Sequence, residues 1–369
     1  MHNGTPDIPS ILLNIVSRTG KPDFSSLFFR FFPLFSTYIY KLCSDVPSLV
    51  YTTDHVLASF AADGVVYLEL RTTPRAIPEQ NISKADYVDL VLSRIAAYNA
   101  KADSQMHTTL ILSIDRRNTL EEANEVVELA ISRMRQGVVG VDLCGNPARE
   151  LTPAFGTAFE KAKLAGLKVT LHFAEAPSSS TPEELRTLLS WRPDRLGHVI
   201  HVDSDGLAVR DEIVRRRIGV ELCLSCNVKG RLISGEFADH HFGWWKDSGV
   251  GVALGVSSFW LLSFRFLPFL DAFFLSGLFS RQKESQVSPL ITPNPFYGVG
   301  SSADGLTKTD DVGVFLSPLS EEYYLAAQHF NLSKADIRRL CEGTIDVIFG
   351  SEQEKERLRS IYADWPGWL

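Results

Sequence analysis

At 369 residues the chain has room for one large domain or two ordinary ones, and 45% hydrophobic with 22% charged residues describes a globular protein with a sizeable core. A formal net charge of -7 excludes a basic surface able to hold a phosphate backbone, so no nucleic-acid partner is expected, and the clusters Arg116-Arg117 and Arg215-Arg216-Arg217 read as solvated faces. The five cysteines (Cys43, Cys144, Cys223, Cys226 and Cys341) are odd in number and widely scattered, which argues against a secreted disulfide framework, and the lone CxxC at Cys223–Cys226 has no second ligand pair for a structural zinc.

The first residues, MHNGTPDIPS, lack the basic segment and apolar core of a secretion signal, so the expected compartment is the cytoplasm. Ile11–Val16 is a short apolar run compatible with strand or helix, and residues 22–42 read as helices broken near Pro33. From Gly64 a theme repeats: a short run rich in Val, Ile and Leu, then a stretch with helical periodicity. Val65–Leu70 is the first clear strand, the first of an eightfold set being expected before it in incomplete form, and a helix over Lys84–Lys101 that Ser83 can cap follows. Thr108–Ile114 precedes a helix over Leu120–Gln136, where Thr119 and Glu122 spell a capping box and Gly137 a stop. Val138–Leu143, a helix at Thr152–Ala165, Lys168–His172, a helix at Thr181–Leu189 and Leu196–Val199 come next. A helix at Val209–Arg217, the strands Ile218–Cys223 and Gly249–Leu254, and a closing helix at Ser333–Gly350 complete the series. Near-continuous apolar strands alternating with helices indicate a parallel sheet buried on both faces, either an open doubly wound sheet or a closed eight-stranded barrel.

Residues 256–308 break this theme. Their first half, Val256–Phe279, is long enough to span a bilayer, but Arg265, Pro268 and Asp271 interrupt it and no membrane association is expected. Their second half is rich in Ser, Pro and Gly. Removing the whole stretch in thought joins GVALG to TDDVGVF, a strand carrying its acidic end before a loop and helix, so the stretch reads as an insertion within a single domain spanning 1–369.

In a parallel α/β protein ligands bind at the carboxyl ends of the strands. The polar residues standing there are Arg71–Arg75, Asp115–Arg117, Cys144–Asn146, His172–Glu175, His198 and Ser225–Asn227. Imidazoles at His172 and His198 suit a borderline metal such as zinc, and Glu175 can shuttle protons if burial raises its pKa. Arg71, Arg75, Arg116, Arg117 and Lys229 are the cations available for a phosphate.

Six segments in order carry a resemblance: DGVVYLELRTTPR (63–75), VGVDLCGNP (139–147), HFAE (172–175), RLGHVIHV (195–202), ELCLSCN (221–227) and TDDVGVFLSPLSEEY (309–323). Together they are similar to the adenosine and AMP deaminase superfamily, above all its adenosine deaminase-like members acting on N6-methyl-AMP. The resemblance implies a TIM-type (β/α)8 barrel of the metal-dependent hydrolase kind, a single Zn2+, and hydrolytic deamination at purine C6, giving IMP from N6-methyl-AMP or acting on a related adenosine- or AMP-like substrate. It implies His172 and Asp310 as metal ligands, Glu175 as the acid at the ring nitrogen, and His198 as the group orienting and deprotonating the water. Asp311 matches the aspartate holding water and the purine's imidazole nitrogen, and Gly145, with Asn146 beside it, matches the position whose backbone amide meets the purine. The partner implied is a purine nucleoside monophosphate or nucleoside, taken up by a monomer.

Two departures from the family's pattern are plain. The family's first barrel strand ends in a metal-binding H-x-H, and this chain has none; Met1-His2-Asn3-Gly4 offers only His2 as a substitute ligand. The insertion also separates the last strand from Asp310. The alternative expectation is therefore a catalytically impaired barrel-derived protein, at most a weak purine nucleotide binder.

Overall fold

The structure, a computed structural model of the chain, describes residues 40–202, 207–255, 264–265 and 318–364. The expectations placed on residues 1–39 and on 256–308, apart from 264–265, lie outside the described residues, as do His2, Asp310 and Asp311.

Helix α1 (Val46–Ala62), which the sequence pattern did not single out, precedes strand β1 (Val65–Thr72). Asp45 starts it by accepting from the Ser48 amide at 2.8 Å, Pro47 occupies its first turn, and Leu49, Leu57 and Phe60 form its buried face. Then follow α2 (Lys84–Asn99), β2 (His107–Asp115), α3 (Leu120–Ser132), β3 (Val138–Cys144), α4 (Phe155–Leu164), β4 (Lys168–Phe173), α5 (Pro182–Ser190) and β5 (Arg195–His198). The chain continues through α6 (Leu207–Arg215), β6 (Gly219–Leu222), α7 (Leu224–Lys229), α8 (Phe242–Trp245) and β7 (Val252–Leu254). A two-residue strand β8 (Phe264–Arg265) and helices α9 (Leu319–His329), α10 (Lys334–Val347) and α11 (Glu352–Ala363) close the order. The capping box at Thr119 is present: Thr119 Oγ1 accepts from the Glu122 amide at 3.2 Å, and Glu122 accepts from the Thr119 amide at 2.9 Å. The helix it starts is shorter than its apolar period suggests, giving way after Ser132 to a tight 3-10 turn that ends at Gly137 with φ +111.

Strands β1 to β7 pair in sequence and in parallel, and β8 adds antiparallel to the outer edge of β1. The sheet is strongly curled, and its side chains prove it. Four strand steps separate β5 from β1, roughly 19 Å across a flat sheet, yet Arg195 on β5 donates to Glu69 on β1 at 2.6 Å. Arg71 on β1 likewise reaches Glu221 on β6 at 3.2 Å. The outer face carries Val66, Leu68, Leu110, Leu112, Val141, Leu143, Val169, Leu171, Val220 and Leu222, all buried under the helices. Helix α10 sits so close to β7 that a Cβ on Gly251 would lie 2.5 Å from Val347 and 2.6 Å from the Gly343 carbonyl. No helix among the described residues is long and apolar enough to cross a membrane.

Candidate functional site

Because strand residues alternate between faces, every second residue of β1 to β6 points to the concave side, and many of these are charged. Glu69, Arg71, Asp142, Arg195 and Glu221 are all at most 1% exposed. They form one network: Arg195 joins Glu69 to Glu221, and Arg71 joins Glu221 to Asp142 at 3.3 Å. Tyr67, Thr170 and Ser113 also donate to these carboxylates, and the Phe349 amide donates to Glu69. Burial alone would push Asp142 and Glu221 up, but the adjoining guanidinium groups hold both below the ordinary carboxylate value. Arg71 is thereby corrected as a phosphate candidate: it is a strut on the concave face of the sheet.

The network supports the residues above it. His172, on β4, donates from Nδ1 to the Leu143 carbonyl at 2.8 Å and lies 3.2 Å from Asp142. Burial opposes its protonation, yet the Asp142 charge prevails and its pKa is raised. Glu175 follows β4 through Ala174, which adopts φ +51 and turns the chain across the strand ends. Its carboxyl is pushed up by burial, with His172 and Arg116 pulling the other way. His198 ends β5 at φ +65 and is fully buried. Its Nε2 lies 3.4 Å from Glu175, its ring is 5.4 Å from that of His172, and its Nδ1 lies 3.2 Å from the Asn227 side chain at the start of α7. Burial first, and His172 second, lower its pKa to about 3, so the ring is neutral. His172, Glu175 and His198 thus converge as expected.

The loops beside them are tightly built. Gly145 has φ +101, and a Cβ there would meet Asp115 Oδ1 at 2.7 Å, so the turn after β3 lies directly on the end of β2. Asn146 turns its side-chain oxygen to the Ala148 amide at 2.9 Å. Glu322, at the start of α9, is fully buried and accepts from the Leu224 and Ser225 amides at 2.7 and 3.2 Å, fixing the segment that carries Asn227. The other arginines named for a phosphate have protein partners: Arg116 meets Glu184 at 2.7 Å, Arg117 meets Asp115 at 2.7 Å, and Arg75 donates to the Tyr40 and Cys43 carbonyls.

The zinc expectation requires correction. Among the described residues no group of three or more His, Cys, Asp or Glu side chains is placed to hold a metal ion. The physical reason lies in the commitments just given: the inward carboxylates neutralise buried arginines, which leaves His172 as the one expected ligand among the described residues. The remaining proposed ligands, His2 and Asp310, lie outside the described residues. Among the described residues, the metal binding and zinc-dependent deamination that the resemblance implied have no ligand group to rest on.

Sequence reasoning missed Glu69, Asp142, Glu221, His240 and Glu322 as members of the site or its support. A usable signal existed for the first three, since a carboxyl inside a strand buried on both faces must find a cation.

The adenosine deaminase family profile matches residues 6–258. An N6-methyl-AMP deaminase of Danio rerio is 31% identical over 332 residues, covering 88% of this chain and 79% of that protein. Crystal structures of Arabidopsis ADAL complexed with IMP and with GMP superpose with TM-scores of 0.72 and 0.71 at 28% identity, each covering 97% of this chain and 92% of the other.

Proposed function

The chain belongs to the adenosine/AMP deaminase superfamily, and on that premise we propose that it is a catalytically impaired member that binds a purine nucleoside monophosphate weakly at the carboxyl ends of its strands. One observation carries this reading: His172, Glu175 and His198 are gathered and buried as a purine site needs, while no metal-holding group exists among the described residues. The Arabidopsis relatives complexed with IMP and GMP support the ligand class. In this reading the Gly145 amide, Asn146, Glu175, His198 and Asp311 face the purine.

The reading takes 1–369 as a single domain whose sheet closes into an eight-stranded barrel, with 256–308 inserted before the last site loop. The end of the family match at residue 258, beside the change in composition, supports the insertion. Five free thiols suit a reducing compartment, and the protein is taken to be a cytoplasmic monomer.

Calorimetric titration of the full chain with IMP, GMP and N6-methyl-AMP, before and after dialysis against a chelator, tests the proposal. The expected result is weak, saturable nucleotide binding that chelation leaves unchanged, with no release of methylamine. Stoichiometric zinc accompanied by turnover of N6-methyl-AMP would refute it, as would failure of every nucleotide to bind.

A further inference from the structure

Behind His198 stands a polar chain that catalytic expectation did not use. Asn227 lies between His198 and His240, with one side-chain amide atom 3.2 Å from His198 Nδ1 and the other 3.0 Å from His240 Nε2. Both Asn227 and His198 are fully buried, and His240 is 2% exposed. Groups so placed must match donor to acceptor throughout.

The polarity of this chain is set at its far end. The backbone amide of Phe242 donates to His240 Nδ1 at 2.9 Å. A backbone N–H cannot reverse its role, so His240 Nδ1 carries a lone pair. Burial keeps His240 neutral, and a neutral imidazole with an acceptor at Nδ1 has its proton on Nε2. The Cys223 carbonyl, which also bonds the His240 ring, is consistent with a donor there. Asn227 must then turn its carbonyl oxygen to His240 Nε2–H. Placing its nitrogen there, as drawn, would set N–H against N–H, and a half-turn of the amide interchanges its two ends. The amide NH2 is left for His198 Nδ1, which must accept. The His198 proton therefore resides on Nε2, the nitrogen 3.4 Å from Glu175.

We infer that Asn227 and His240 are positioning residues that hold His198 as an Nε2–H donor, and that this donor selects 6-oxopurine over 6-aminopurine nucleotides. The base-recognition half rests on the nucleotide-binding reading above; the tautomer half does not. A 6-oxopurine presents a carbonyl oxygen at C6, which complements an imidazole N–H. A 6-aminopurine presents an amine there and would set it against the His198 proton. A His198 with Nε2–H also has no lone pair there with which to deprotonate water, in keeping with an impaired enzyme.

The test combines two measurements on the full chain. Long-range 1H–15N correlation of the 15N-histidine-labelled protein reads the tautomer directly; His198 and His240 are both expected to show protonated Nε2 and unprotonated Nδ1. Calorimetry with IMP and AMP reads the selection, for which about tenfold or more in favour of IMP is expected, because tenfold corresponds to 1.4 kcal/mol and a buried donor facing a donor costs on that order. In Asn227→Asp, an ionised carboxylate can only accept, so the His198 proton should move to Nδ1 and the IMP preference should fall toward parity. A wild-type spectrum with His198 protonated on Nδ1 overturns the inference, and needs no variant to fold. AMP binding as tightly as IMP overturns the selection while the tautomer stands on its spectrum. Failure of both nucleotides to bind removes the selection together with the reading on which it rests.

Discussion

Replacing Arg195 by Met should strain the molecule more than any surface change, because its guanidinium is the hinge of the buried network. It is 1% exposed, contacts Glu69 at 2.6 Å and Glu221 at 2.5 Å, donates to the Val347 carbonyl at 2.9 Å and lies 3.4 Å over the Phe349 ring. Met restores much of the volume but none of the charge. Glu221 would keep Arg71 at 3.2 Å, whereas Glu69 would keep only neutral donors, the Tyr67 hydroxyl and the Phe349 amide. Removing one partner of a buried ion pair costs about 3–5 kcal/mol, a large share of the roughly 5–15 kcal/mol by which domains are stable. Equilibrium unfolding in urea, followed by the fluorescence of the buried Trp191 and Trp245, should show a lower midpoint at unchanged slope. The pair Arg195→Met and Glu69→Gln should recover about 1–3 kcal/mol relative to additivity. If Arg195→Met stays within about 1 kcal/mol of wild type, or the two changes simply add, the network is not the support described here.

Acid should destabilise the fold through its buried histidines. His198 and His241 titrate near 3 and 4 when folded, against 6.5 for an exposed histidine, chiefly because burial disfavours the charged ring. Below pH 6.5 the unfolded chain therefore binds protons that the folded chain refuses, and stability falls by about 1.4 kcal/mol per pH unit for each ring. His240 and His201 are lowered as well and act with the same sign, while the raised His172 and Glu175 oppose them only above their ordinary values. Thermal unfolding at about pH 7 and pH 5 should differ by about 4 kcal/mol, and a flat or rising profile toward acid would contradict the burial of these rings. Gly145→Ala should strain a residue at φ +101 and drive its Cβ onto Asp115, costing about 1–3 kcal/mol; IMP affinity measured by calorimetry should drop with it, and unaltered stability would show that the turn after β3 is looser than described.

The alternation of elements was readable because it is local. Strands such as Thr108–Ile114 and Lys168–His172 were foreseen nearly to their ends, and the cap at Ser83 and the box at Thr119 marked helix starts that the structure repeats. The curl was not readable, since nothing in the spacing of Glu69 and Arg195 says that strands four steps apart will meet. Reading VVYLEL and VVGVDL as apolar runs also concealed their second face: Glu69 and Asp142 look like interruptions until their cations are found across the curled sheet. Histidines 172 and 198 were legible as a pair from their place at strand ends. Their ring polarity was not, because it depends on Leu143, Asn227 and, at one remove, the Phe242 amide.

These dependencies explain how the site keeps its shape. His172 is oriented by the Leu143 carbonyl and Asp142, Asp142 is held ionised by Arg71, and Arg71 shares Glu221 with Arg195. His198 is oriented from the other side by Asn227, whose segment Glu322 fastens through the Leu224 and Ser225 amides. Each link is a buried hydrogen bond or ion pair between described residues, and none passes through a metal. Removing the function of a metal site from such a framework leaves every one of these partners still satisfied, so the purine-facing geometry has no physical reason to collapse. A framework stabilised from within can lose a reaction and retain a ligand.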